Sequence, residues 1–180
     1  YNLSASPDFF SPNADGNYDS TTITALITAL ANWTINIKDS DGALKRTFIG
    51  TGTTISQLWN GKDSLGAVVP DGSYTYTIDA TDPATGASAT PVSGTIKVDN
   101  TLPTGSITTP LANATLSGSA VIVKGLANDA NFSVRYLYYG QGANPTGWNN
   151  INLSGAPAVP DAEGNPPTLG TWNTTSRPNG

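Results

Sequence analysis

The chain has 180 residues, a formal net charge of -5 and only 12% charged residues, and it contains no Cys, Met or His. A chain of this length forms one large domain or two small ones. The missing residue types exclude disulfides, thiolate or imidazole metal sites, and Ser-His-Asp or Cys-His catalysis. Lys and Arg form no cluster, so we expect no nucleic-acid partner. No apolar run approaches the ~18 residues that would predict a membrane span.

Ser and Thr together occupy 41 positions and Asn another 17, a composition that favours strands and turns. Thr is β-branched and fits a pleated surface, whereas Asn, Gly and Pro favour turns. The absence of Cys from a chain rich in Thr, Asn and Gly predicts an extracellular or cell-surface protein that does not depend on disulfides. The chain begins with Tyr, so we expect a processed product or a piece of a larger protein.

Short strands separated by turns are predicted along the first hundred residues, with a loop from Pro7 to Asp19. The predicted strands are residues 1–5, 21–30, 33–38, 44–48, 55–59, 73–79 and 92–98. Turn signals recur about every ten residues, as in immunoglobulin-like sandwiches. The first hundred residues therefore predict one antiparallel β-sandwich.

The stretch from Trp59 to Ile78 predicts a structural corner that leads into a core strand. It contains a glycine-rich loop and turns at Pro70-Asp71-Gly72, where Pro fixes one turn dihedral and Gly tolerates a positive φ. Alternating Tyr and Thr residues then predict a half-buried strand. A shorter version of the same sequence, from Trp172 to Gly180, has no strand after it.

A linker from Asp99 to Thr104 separates a second module, in which strands are predicted at 120–124, 132–139 and 148–153. This half has at most five strands, which are too few to close a sandwich. The predicted fold is therefore all-β, with two tandem immunoglobulin-like antiparallel β-sandwiches at residues 1–100 and 101–180. The second sandwich lacks its final strand or strands.

Four ordered motifs in the first half resemble the Ig-like domain of flagellar hook-capping (FlgD-type) proteins, over about residues 7–100. They are Phe10–Gly16 with Asp19, the Ile37–Thr47 hairpin, Trp59–Asp63 and Pro70–Tyr76. The second half resembles another bacterial Ig-like module through Gly125–Phe132, Tyr136–Gly142, Trp148 and Leu169–Trp172. The resemblance implies an extracellular bacterial module that serves as spacer, scaffold or adhesion unit, without catalysis of its own.

The loop before the second predicted strand is a candidate calcium site. Asn13, Asp15, Asn17 and Asp19 place side-chain oxygens at alternate positions, and Ca²⁺ binds several oxygen ligands converging on one point. The spacing is not that of an EF-hand. The alternative is an Asx-turn loop, in which Asn and Asp side chains accept backbone N–H groups. No other cofactor is predicted.

The densest aromatic group lies in the second half, where Tyr136 and Tyr138 are predicted on one face of a strand and Tyr139 on the other. Core packing is the expected role of this group. The alternative is a ligand-binding platform in which Tyr139 and Trp148 stack on a carbohydrate. Four Asp residues adjoin glycine turns and are interpreted as turn residues rather than glycosidase carboxylates. They are Asp39, Asp41, Asp63 and Asp71. No enzyme is predicted.

Three explanations remain open for the strand that the second module lacks. The remainder of a larger parent chain supplies it, the module is stable without it, or an identical subunit donates it head-to-tail. The alternation of Tyr1, Leu3 and Ala5 motivates the third explanation, and such assembly would build an extracellular filament.

We therefore expect a non-catalytic structural module of a secreted or surface bacterial protein, acting as spacer, scaffold or filament subunit. The alternative is a carbohydrate-binding or cell-wall-binding accessory module of a secreted enzyme, such as a surface protease.

Overall fold

The computed structural model describes residues 3–175, which form eleven β-strands and no helix. The prediction of an all-β chain is confirmed. The chain divides into two compact units, Tyr1–Asn100 and Thr101–Gly180. Over the described range, a helix capable of crossing a membrane is absent.

The first unit contains six strands that form one sheet. They are β1 (Ser4–Ser6), β2 (Phe9–Phe10), β3 (Thr21–Lys38), β4 (Leu44–Trp59), β5 (Gly72–Thr81) and β6 (Val92–Val98). The order is β1-β3-β5-β6-β2, and β4 pairs with the other side of β3. All pairs are antiparallel except β2 with β6, which is parallel.

Both halves of β3 contribute side chains to a single core, so the sheet curves around that core. Ile23 and Ala25 from the first half and Ile35 and Ile37 from the second half belong to the same buried cluster. The first half of β3 pairs with β1 and the second half with β5. A register shift between Leu26 and Ala31 separates the two halves, and such irregularities bend a strand.

The structure corrects the predicted strand boundaries. The segments predicted at 21–30 and 33–38 are one strand, β3, and those at 44–48 and 55–59 are one strand, β4. The irregularity after Leu26 bends β3 without ending it, because pairing with β4 resumes at Ala31. The predicted loop from Pro7 to Asp19 contains β2, since the carbonyls of Asp8 and Phe10 accept N–H groups of β6 and of the residue that follows it.

The second unit has five strands in its described part. They are β7 (Thr104–Thr109), β8 (Val121–Asn128), β9 (Arg135–Tyr139), β10 (Asn149–Ser154) and β11 (Thr168–Trp172). One sheet has the order β11-β8-β7, and β9 pairs with β10 in a second sheet. Its buried cluster is small and consists of Val123, Leu137, Ala158 and Leu169. The shorter version of the Trp59 corner, Trp172–Gly180, begins at the end of β11, but its residues 176–180 lie outside the described range, so the missing strand stays a prediction.

Candidate functional site

The corner before β5 is built around the fully buried indole of Trp59. Phe10 and Tyr74 meet this ring edge to face, with centroid distances of 5.3 and 5.5 Å. The indole Nε1–H donates to the carbonyl of Lys62 at 3.1 Å. Since a buried Trp needs a partner for its N–H, this bond lets the ring occupy the core at little polar cost.

The turn at Pro70-Asp71-Gly72, which leads into β5, is closed by Tyr74. Its hydroxyl donates to the carbonyl of Pro70, four residues earlier, at 2.6 Å. A Tyr that bonds back to the preceding backbone in this way is typical of immunoglobulin-like sandwiches. Burial raises the pKa of Tyr74, which keeps the phenol protonated and able to donate. These contacts agree with the interpretation of the stretch as a structural corner.

Three loops of the chain use the same five-residue turn, Asp-x-x-Gly-x, which begins at Asp39, Asp63 or Asp161. In each turn one carboxylate oxygen accepts the N–H groups two and four positions later, at 2.8 to 3.1 Å. The Gly N–H donates back to the Asp carbonyl, and the Gly φ lies between 81 and 85°. Gly adopts this backbone conformation at low cost. The carboxylates of these turns therefore hold the main chain.

Charge and hydrogen bonding lower the pKa of several turn carboxylates. Lys45 Nζ lies 2.8 Å from Asp39 Oδ2, and this contact is the main cause that lowers the pKa of Asp39. Backbone N–H donors are the main cause that lowers the pKa of Asp82 and of Asp161. A lowered pKa is typical of a carboxylate that accepts several hydrogen bonds.

The loop predicted to bind calcium is held by hydrogen bonds among its own residues. The Asp19 carboxylate accepts the N–H groups of Ala14 and Gly16 at 2.7 and 2.8 Å. The side chains of Asn13 and Asp15 each accept the N–H two positions later, at 3.0 and 2.7 Å. This is the Asx-turn arrangement that was the alternative interpretation.

The four predicted ligands are Asn13, Asp15, Asn17 and Asp19. Three of the four thus accept backbone N–H groups, whereas Asn17 takes part through its own N–H, which donates to Asp15. Between residues 3 and 175 no group of three or more His, Cys, Asp or Glu is arranged to hold a metal ion. A calcium site in this loop stays a prediction.

The aromatic residues of β9 point to opposite sides of the strand, as predicted. Leu137 is buried, and Tyr139, on the same side of the strand, packs 5.1 Å from the Trp172 ring. Tyr136 and Tyr138 are 53% and 42% exposed, and their rings stack at 5.6 Å. The expectation that these two Tyr side chains pack in the core is therefore wrong, because Leu137 occupies the buried face.

The two residues predicted to bind a carbohydrate have different surroundings. Trp148, which directly precedes β10, is 63% exposed, whereas Tyr139 is partly buried beside Trp172. The exposed aromatic side chains of this region are Trp148, Tyr136 and Tyr138. A ligand platform, if built from exposed rings, would use these three residues.

The segment predicted as a donated strand is part of its own unit. Ser4–Ser6 pairs antiparallel with Thr22–Thr24 of β3, and Leu3 and Ala5 pack against the core of the first unit. Tyr1 lies outside the described residues. Donation of this segment to a neighbour would remove Leu3 and Ala5 from that core, and the head-to-tail strand exchange stays a prediction.

One feature that the sequence reasoning missed is the outer edge of β4. From Thr47 to Gly61 the chain has no charged residue and no Pro. Charged side chains and Pro are the usual protection of an exposed strand edge. The absence of charged residues and Pro from this segment was the sequence signal that could have predicted an unprotected edge.

Residues 11–84 match the family model described as the FlgD Ig-like domain. This match confirms the FlgD-type resemblance of the first unit, whereas the resemblance of the second half to another bacterial Ig-like module stays a prediction. No curated protein matches the chain.

Several solved structures are similar to the chain, and FlgD and PorZ are two of them. FlgD from P. aeruginosa has 18% identity and a TM-score of 0.38, covering 63% of this chain and 75% of that one. PorZ of Porphyromonas gingivalis, described as an essential bacterial surface component of the type-IX secretion system, has 21% identity and a TM-score of 0.35. That similarity covers 54% of this chain and only 11% of PorZ.

Proposed function

Because the first unit carries a FlgD-type Ig-like domain, we propose that the chain is a non-catalytic structural module of a secreted or cell-surface bacterial protein. It acts as a spacer or scaffold within a larger parent chain. The observation that supports this proposal most is the use of loop carboxylates as backbone acceptors. Asp19, Asp39 and Asp63 each hold their own turn rather than converging on a ligand.

A spacer must keep its fold while tension passes through it. The closed core of the first unit, in which Trp59 and Ile35 are fully buried, supports this role. The parallel pairing of β2 with β6 also joins the two ends of the unit through backbone hydrogen bonds. Such bonds resist separation of the ends.

Single-molecule stretching of the 180-residue chain between two handles tests the proposal. We expect a separate rupture event for the first unit that releases about 3.5 Å of chain for each unfolded residue. The Trp59→Ala variant should rupture at lower force, because it leaves a cavity in the core. Smooth extension of the unsubstituted 180-residue chain without a rupture event would contradict a spacer function.

A second candidate function is binding of a carbohydrate or cell-wall polymer by the second unit. The exposed rings of Tyr136, Tyr138 and Trp148 favour it, since aromatic rings offer apolar faces to sugars. In this case the chain would be an accessory module of a secreted enzyme.

A glycan array and a peptidoglycan pull-down test this second function. If the unsubstituted chain gives a binding signal, this signal should be abolished by Tyr138→Ala and by Trp148→Ala. Tyr18→Ala is the matched control, because Tyr18 is an exposed Tyr of the first unit. Equal binding by all three variants would exclude these rings as the binding surface.

A further inference from the structure

Among the described residues, the outer edge of β4 has no backbone pairing from Thr47 to Thr51. In the described chain β4 pairs only with β3. The carbonyl of Lys45 accepts an N–H from Ser64 at 2.9 Å, so it points away from β3. The N–H of Asp39, directly after β3, donates to the Ala43 carbonyl at 3.1 Å, so by alternation the backbone groups of β3 point away from β4 at Asn36, Thr34 and Asn32. Thr47, Ile49 and Thr51 lie opposite these three residues, and their backbone groups therefore also point away from β3.

The solvent-facing side chains on this edge are uncharged and β-branched. Ile49 is 78% exposed, although it lies in a regular strand. On either side of it, Thr47 donates to Asn36 and Thr51 donates to Asn32, at 2.9 and 2.8 Å. These two bonds hold the Thr side chains against β3. The edge therefore presents one exposed apolar residue, Ile49, between two Thr side chains whose positions are fixed by β3.

We propose that this edge pairs with the same edge of a second copy of the chain. The two β4 strands run antiparallel about a two-fold axis at Ile49. Thr47 then lies opposite the partner's Thr51, and Ile49 lies opposite the partner's Ile49. Each of these pairs exchanges two backbone hydrogen bonds, as in an antiparallel ladder.

A second copy fits this edge better than an unrelated strand because the edge reads the same in both directions. The outward-pointing residues form the sequence Thr-Ile-Thr, so self-pairing places like residues together and no charge beside another. An antiparallel pair of this kind is isologous and closes as a dimer. The inference goes beyond the spacer function and does not depend on it. It also differs from head-to-tail strand exchange, because β4 stays in its own sheet.

A single cysteine reports this geometry directly, because the chain has no Cys of its own. Opposed residues of a hydrogen-bonded antiparallel pair have Cα atoms about 5.5 Å apart, which is within the range that a disulfide spans. Under mild oxidation, Ile49→Cys should form a covalent dimer at least about tenfold faster than Leu65→Cys. Leu65 is a suitable control because it is 94% exposed on a loop.

The register is tested by mixing two further variants. Thr47→Cys and Thr51→Cys should cross-link to each other faster than either cross-links to itself, because position 47 faces position 51 of the partner. Equal rates for the mixture and for each variant alone would overturn the proposed register.

Sedimentation velocity tests the dimer without cross-linking. The apparent mass of the unsubstituted chain should rise with concentration from 18.5 kDa towards twice that value. Ile49→Lys should remain monomeric, because two lysines would then face each other, and Leu65→Lys should behave as the unsubstituted chain does. Circular dichroism should be unchanged, since both side chains are exposed. An unsubstituted chain that is monomeric at all concentrations, or dimerisation by Ile49→Lys, would overturn the proposal.

Discussion

The Asp and Gly residues of the turns carry much of the local order of this chain. In the turns that begin at Asp39, Asp63 and Asp161, the carboxylate and the left-handed Gly act together. Their spacing, Asp followed by Gly three positions later, is visible in the sequence, and the turns could be predicted from it. The calcium interpretation of the Asn13 loop used the same residue types. Sequence spacing alone does not say whether their oxygens face a cation or a backbone N–H.

Asp63→Ala should destabilise the first unit by about 1–2 kcal/mol, because two backbone N–H groups lose their acceptor. Urea unfolding followed by circular dichroism measures the change. Asp63→Asn keeps an oxygen acceptor at the same position and should cost less than half as much. Equal losses for the two variants would mean that charge, and not hydrogen bonding, holds the turn.

The stability of the first unit should fall in acid through Asp39. The Lys45 contact lowers the pKa of Asp39 below its ordinary value of 3.8, so the folded state binds the proton less tightly than the unfolded state does. The stabilising contribution is therefore present above pH 3.8 and is lost as the pH falls below this value. Urea midpoints measured across this range should decline less steeply in Lys45→Gln. An identical decline in that variant would assign the acid sensitivity to other groups.

At the scale of strands, alternation identified which residues form β-structure but not how far each strand runs. β3 continues past Leu30 because neither Pro nor Gly interrupts it. After the irregularity that follows Leu26, the strand pairs with β4 again from Ala31. The exposed side of β9 could not be predicted either. Alternation places Tyr136 and Leu137 on opposite sides, but only the surrounding strands decide which side is buried.

β1 should stabilise its own unit, because Ala5 packs against the core while Ser4 is exposed. Ala5→Asp buries a charge partly and should cost about 1–3 kcal/mol in urea unfolding. Ser4→Asp, one position away on the solvent side, is the matched control and should cost less than about 0.5 kcal/mol. Similar small losses for both variants would show that β1 is not docked in solution.

The two units have cores of unequal size. The first unit buries thirteen residues in one cluster, from Phe10 to Val98, whereas the buried cluster of the second has four. Burial of apolar surface is the main favourable contribution to folding. The described part of the second unit is therefore expected to be the less stable of the two.

Urea unfolding of the whole chain should accordingly show two transitions, with the second unit unfolding first. Trp59→Ala should lower the later transition by about 3–5 kcal/mol and leave the earlier one unchanged. Limited proteolysis with mass spectrometry identifies which unit is cut first. A single transition that shifts as a whole in Trp59→Ala would show that the two units unfold together.

The parallel contact between β2 and β6 also has a kinetic consequence. It joins Phe9 and Phe10 to residues at the far end of the unit's sequence, whereas β3 and β4 meet through a short turn. Distant contacts carry a larger loop-closure cost before they form. We therefore expect the β3–β4 hairpin to be ordered in the folding transition state and the N-terminal segment to dock after it. Phe9→Ala should then speed unfolding and leave the refolding rate nearly unchanged. Stopped-flow kinetics would distinguish this late docking from early closure of the unit by its ends.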